Sequence, residues 1–150
     1  MHAAITAATG FLVAVLWFDL MFDVQVWPHR HAETVPAEVT DSIATYYRRV
    51  TTDAHPMSRL ISLVMACLVV LLIVQAVRAD APVWLSIVSL AAAVAAIGLA
   101  LGRVVPDAKR LGSKVDDVDG RSRLARRIFR DHVLFLSLMA GLLALQLVAG

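Results

Sequence analysis

The chain has 150 residues, of which 59% are hydrophobic and 17% charged, and its mean hydropathy is +0.74. A soluble domain of this length cannot cover so much apolar surface, so an aqueous globular protein is excluded and lipid is the solvent. The formal charge of +2 is close to neutral, and where the charges fall says more than their sum.

The first hydrophobic run, Ile5–Val26, is long enough to cross a hydrocarbon core and carries only two charges, Asp19 and Asp23. The N-terminal residues hold no Lys or Arg, unlike the basic start of a cleavable signal peptide, so this run reads as a retained transmembrane helix. Further runs fall at Leu60–Val77, Val83–Val105 and Val133–Val148. The last extends backward through His132, which gives spans at about 5–26, 58–77, 83–105 and 131–149 of a single integral membrane domain. Pro28 and Pro106 are expected to close the first and third spans, and Pro56 to open the second. Asp80-Ala81-Pro82 reads as the cap and first turn of the third. The loop from Arg78 to Pro82 is short enough to force an antiparallel hairpin. Cys67 is the one cysteine and reads as a small packing residue.

Between the first two spans, Pro36–Thr52 places Val39, Ile43, Tyr46, Tyr47 and Val50 at helical spacing, which predicts an amphipathic helix on the membrane or under the bundle. Between the last two, Lys109–Gly120 is polar and reads as a mobile loop. Arg121–Arg130 is rich in arginine, and anionic headgroups explain it more simply than a nucleic acid does. The predicted class is all-α: a four-transmembrane-helix bundle with one amphipathic helix in the first cytoplasmic loop. Thirteen Lys and Arg residues fall on the side of the two long connections and only Arg78 on the other. That asymmetry predicts cytoplasmic long loops and both termini outside, in a bacterial-type plasma membrane.

Asp19 and Asp23 lie about 6 Å apart along one helix face. A charge at mid-membrane costs about 2.5–3.5 kcal/mol, so partners are required. The topology brings Arg59, Arg103, Asp107, Arg130, Asp131, His132 and His55 to the same end. These residues predict one polar cluster: an ion-pair network that fixes helix register, a site for a lipophilic small molecule or, ranked last because the acids stop short of the outer half, part of a proton pathway in a transporter. In the second case Asp19 or Asp23 is the proton acceptor, His132 or His55 the exchanging acid, and Arg59, Arg103 or Arg130 the electrostatic orienter. His29, His31 and Glu33 form a weak metal-ligand pattern in an interfacial loop. No phosphate-binding glycine loop, nucleophile elbow or paired-cysteine site is present, and no cofactor is called for. Ala91, Ala95, Gly98 and Gly102 mark one face of the third span where backbones can approach closely, within the bundle or toward a second copy or partner subunit.

Val105-Pro106-Asp107-Ala108-Lys109-Arg110-Leu111 and Phe129-Arg130-Asp131-His132 resemble segments of the anthrone-oxygenase-like family of small four-helix membrane proteins. In that family an asparagine stands where this chain has Ala108, and an arginine stands near Leu134, Phe135 and Leu136. The resemblance implies the four-helix fold and, mildly, a flat hydrophobic ligand among the helices. Two classes lead after the sequence, ahead of a proton-coupled transporter, with enzymatic activity undecided. One is a protein that binds and converts a lipophilic molecule at the polar cluster. The other is a non-enzymatic accessory or structural subunit of a larger membrane complex.

Overall fold

The computed structural model describes residues 1–149, with the side chains of His55 and Ala149 left aside. It is all-helical: α1 (His2–Asp23), α2 (Ala37–Arg48), α3 (His55–Val77), α4 (Val83–Leu99), α5 (Val105–Ser113) and α6 (Val118–Ala149). Four helical stretches are long and apolar enough to cross a membrane: His2–His29, Pro56–Val77, Val83–Ser113 and Val118–Val148.

The two span-closing prolines act differently from expectation. Pro28 sits inside a 3-10 turn, Val24–His29, which prolongs α1. A 3-10 turn tightens the helix end and satisfies part of its backbone locally. Pro106 opens α5, and the chain reaches it from α4 through a π-helical turn, Ala100–Val104. Proline lacks an N–H and crowds the carbonyl four residues earlier, and the wider π-turn absorbs both defects without leaving the helix. The expected mobile loop is correspondingly shorter, because α5 runs to Ser113 and α6 begins at Val118. No side chain caps α4: Pro82 holds the cap position, and Ala79 makes the hairpin turn with a left-handed backbone, φ 53°.

Polarity runs from inside to outside in reverse of a soluble fold. Trp17, Leu63, Val70, Ile87, Val94 and Leu147 face outward, while Thr9, Asp23, Gln75, Ser89, His132 and Gln146 are buried. Lipid rewards this arrangement, since it solvates apolar side chains and leaves polar ones to find partners within the bundle. Cys67 also faces outward.

Two apolar cores stack along the bundle. The first is formed by Ile5, Leu12 and Leu16 of α1, Met65, Leu68 and Leu72 of α3, Ala93 and Ala96 of α4, and Phe135, Met139 and Leu142 of α6. The second lies under the long connections, where Ile43, Ala44 and Tyr47 of α2 meet Leu111 of α5 and Leu124 and Ile128 of α6. The amphipathic helix thus lies under the bundle. At the opposite end, Gln75 and Gln146 exchange amide hydrogen bonds at 3.3 Å in both directions, and Gln146 Nε2 also donates to Ser89 Oγ at 3.0 Å. This pair ties α3, α4 and α6 together.

Candidate functional site

Between the two cores lies a polar layer built on Asp19 and Asp23. Asp23 is 0% exposed, so its partners must lie inside the protein. The Tyr47 hydroxyl donates to its Oδ1 at 2.7 Å. His132 Nδ1 donates to its Oδ2 at 2.6 Å and passes 3.2 Å from the Tyr47 hydroxyl oxygen. A carboxylate only accepts, so this contact places the imidazole proton on Nδ1. Asp19, one turn earlier, accepts from the Tyr46 hydroxyl at 2.7 Å, and its Oδ2 lies 3.8 Å from His132 Nε2. Phe22 stacks on Tyr46 with ring centroids 4.0 Å apart. Two neighbouring tyrosines of α2 therefore serve two aspartates one turn apart on α1, because both helices turn the relevant face toward the same layer.

Burial pushes the Tyr47 phenol well above its ordinary 10.0, with Asp23 and Asp19 reinforcing the shift. Burial and the Asp19 carboxylate raise Tyr46 in the same direction. Both phenols remain neutral donors. The linkage is then fixed in sign: a phenol raised in the folded state contributes stability that is present below pH 10 and lost as pH rises further. The melting temperature in detergent is expected to fall above about pH 10, and less steeply in Tyr47→Phe. A thermal-shift series from about pH 8 to pH 12 checks this, and equal slopes would contradict it.

The arginines expected to neutralise Asp19 and Asp23 are engaged elsewhere or open. Arg103, carried on the π-turn, holds both oxygens of Asp131, at 3.1 and 3.0 Å. Arg130 is largely exposed, with its Nε 3.8 Å from Asp131 Oδ1. Asp107 meets Arg127 at 3.4 Å. Arg59 is exposed and has no ion-pair partner among the described residues. The His55 side chain lies outside the described residues. Two phenols and an imidazole take the arginines' place, and a neutral phenol costs less to bury than a guanidinium.

His29 is half-buried, whereas His31 and Glu33 are exposed. Among the described residues no three such side chains gather as metal ligands. Arginines of the basic stretch turn partly inward. Arg126 donates to the carbonyls of His29 and Ala32 at 3.1 and 2.6 Å, and Arg121 binds Asp41 at 2.7 Å. They staple the first long connection to α6.

The sequence places Tyr46 and Tyr47 only on the apolar stripe of the amphipathic helix. The signal for more was their adjacency on the buried side of an amphipathic helix, together with two acids in need of donors.

Beside this layer is a cavity of about 440 Å³, which Asp19, Tyr47 and His132 line but Asp23 does not. Its remaining wall is mostly apolar, from Leu16, Met65, Ala100, Val104 and Phe135.

Four apolar helices, an inward polar layer and an outward apolar shell define a multi-pass integral membrane protein. Residues 1–149 match the family model described as ER membrane protein SH3, and the chain belongs to this SHR3 chaperone family. No curated protein and no solved structure matches it.

The family assignment overturns two expectations. The short segments around Pro106 and His132 suggested the anthrone-oxygenase-like family, yet a proline-bearing third span and an aromatic lead into the fourth suit many helix bundles. The bacterial-type plasma membrane gives way to the endoplasmic-reticulum membrane that the family description names. Hydropathy reports that a bilayer is the solvent and does not say which one.

Proposed function

We propose that this chain is a non-enzymatic membrane chaperone, an accessory protein that accompanies client membrane proteins in the endoplasmic reticulum. The observation that carries this reading is the match to the SHR3 chaperone family over residues 1–149. The polar layer supports it, since Asp23, Tyr47 and His132 satisfy one another inside the bundle as a structural link would. Clients would approach the small-residue face of α4. A side-chain carbon placed at Gly98 or Gly102 would meet nothing within 4 Å, so these glycines face outward and serve no packing inside the chain. Small residues on an outward face let a second helix come close.

Gly98→Leu/Gly102→Leu tests this directly. Site-specific crosslinking from α4 to newly made multi-span proteins is expected to be lost in the variant while its melting temperature stays that of the wild type. Persistent crosslinks would move the client surface elsewhere. If depletion of the protein leaves such clients leaving the endoplasmic reticulum at their normal rate, the chaperone reading itself fails.

One observation favours a second reading, the binding and conversion of a lipophilic small molecule: the cavity that Asp19 and His132 line. Asp19→Asn would then abolish turnover of a co-purifying molecule without disturbing client crosslinks. The chaperone reading ranks first because the family match spans the chain and because Asp23 does not line the cavity.

A further inference from the structure

The cavity has features that a chaperone function does not require. At about 440 Å³ it falls within the roughly 300–1,000 Å³ of ordinary small-molecule sites. It is too small for a helix about 10 Å across, so it is not a berth for a client span. It lies where α3 parts from the Ala100–Val104 turn and α5, beyond the reach of the tight Arg78–Pro82 hairpin at the other end. Its rim reaches the outer surface of the bundle: Arg59, Ser62, Leu101 and Val105 are all exposed. A ligand can therefore enter sideways from the bilayer.

The chemistry of the wall is graded along the membrane normal. The deep part is apolar, with Leu16, Met65, Ala100 and Phe135 from four different helical segments. The part nearest the long connections carries Thr51, Arg59 and Lys109. Neither Arg59 nor Lys109 has an ion-pair partner among the described residues, while Arg103, Arg110, Arg121 and Arg127 all do. The acid of the cavity, Asp19, is already engaged by Tyr46 and approached by His132. The uncompensated charge at the rim is thus positive. Basic pockets between membrane helices bind anionic headgroups by this complementarity.

We infer that this cavity is a binding site for one anionic phospholipid, with an acyl chain between α3 and the Ala100–Val104 turn and its net-negative headgroup on Arg59 and Lys109. The inference is independent of the client surface on α4 and stands or falls separately.

Native mass spectrometry of the detergent-solubilised full chain tests it, with phosphatidylserine against phosphatidylcholine of the same acyl chains as probes. One phosphatidylserine per chain is expected to be retained about tenfold more than phosphatidylcholine. The preference should vanish in Arg59→Gln/Lys109→Gln. Ala100→Phe, which fills the cavity without changing charge, should displace both lipids. Equal retention of the two lipids would overturn the inference, as would retention unchanged in either variant, which is the behaviour of lipid on the outer surface. Competition by glycerol phosphate lacking acyl chains would show that the site takes free phosphate and would overturn the lipid assignment. On the wild-type chain, phosphatidylserine with a photoreactive acyl chain should label the segments 61–65 and 100–108. Adducts spread over the outward faces of α1 and α6 would count against the site, so the test survives a variant that fails to fold.

Discussion

His132→Leu is expected to destabilise the bundle by about 3–5 kcal/mol, enough to deplete the folded protein, because it strands a buried carboxylate. Asp23 is fully enclosed and loses the 2.6 Å contact from Nδ1, keeping only the Tyr47 hydroxyl. The partner change is cheaper. Asp23→Val leaves a neutral imidazole and a phenol without their acceptor, at a cost of about 1–3 kcal/mol. Denaturation in lipid bicelles gives both values. The asymmetry matters more than either number, since simple loss of packing would affect the two positions comparably. Equal costs would mean that the pair contributes shape and not charge compensation.

Gly112→Ala is expected to cost about 1–3 kcal/mol by overpacking and to loosen α2 from the bundle. A side-chain carbon at Gly112 would lie 2.9 Å from the Arg48 backbone nitrogen and 3.1 Å from its Cα. Backbone cannot swing aside as a flexible side chain does, so α2 or α5 must shift. α2 carries Tyr46 and Tyr47, and its displacement stretches the hydrogen bonds to Asp19 and Asp23 at once. Trypsin cleavage at Arg48 and Arg49 should accelerate severalfold in the variant, while Gly141→Ala, at a position with open space around it, should leave the rate unchanged. Equal cleavage in both would show that α2 docks without needing this close approach.

The bundle was legible in the sequence because hydropathy, span length and proline placement all act locally. The burial of Asp19 and Asp23 was legible for the same reason, since a carboxylate in an apolar run must find company. Which company it finds was not. Arg103 was expected to reach these acids, but the π-turn at Ala100–Val104 directs it to Asp131, and no local pattern announces that turn. Tyr46 and Tyr47 arrive from a helix outside the spans, placed by the core it forms with Leu111 and Ile128. Long-range docking of this kind leaves only an amphipathic stripe in the sequence. Gln146 shows the same limit at the other end, since its role depends on meeting Gln75 and Ser89 across three helices.

Asp23, Tyr47 and His132 join α1, α2 and α6 across the polar layer, in addition to the apolar core that places α2. The proposed chaperone role would require the chain to keep its own helices in register while its outward faces stay available. On the proposed reading, the layer would supply that register.

A double-substitution cycle at positions 23 and 132, read as unfolding free energy in bicelles, probes this linkage most directly. Compensation of the buried acid by the imidazole predicts that Asp23→Val/His132→Leu is more stable than His132→Leu alone, since the stranded charge is gone. A double variant whose loss equals the sum of the two single losses would contradict it.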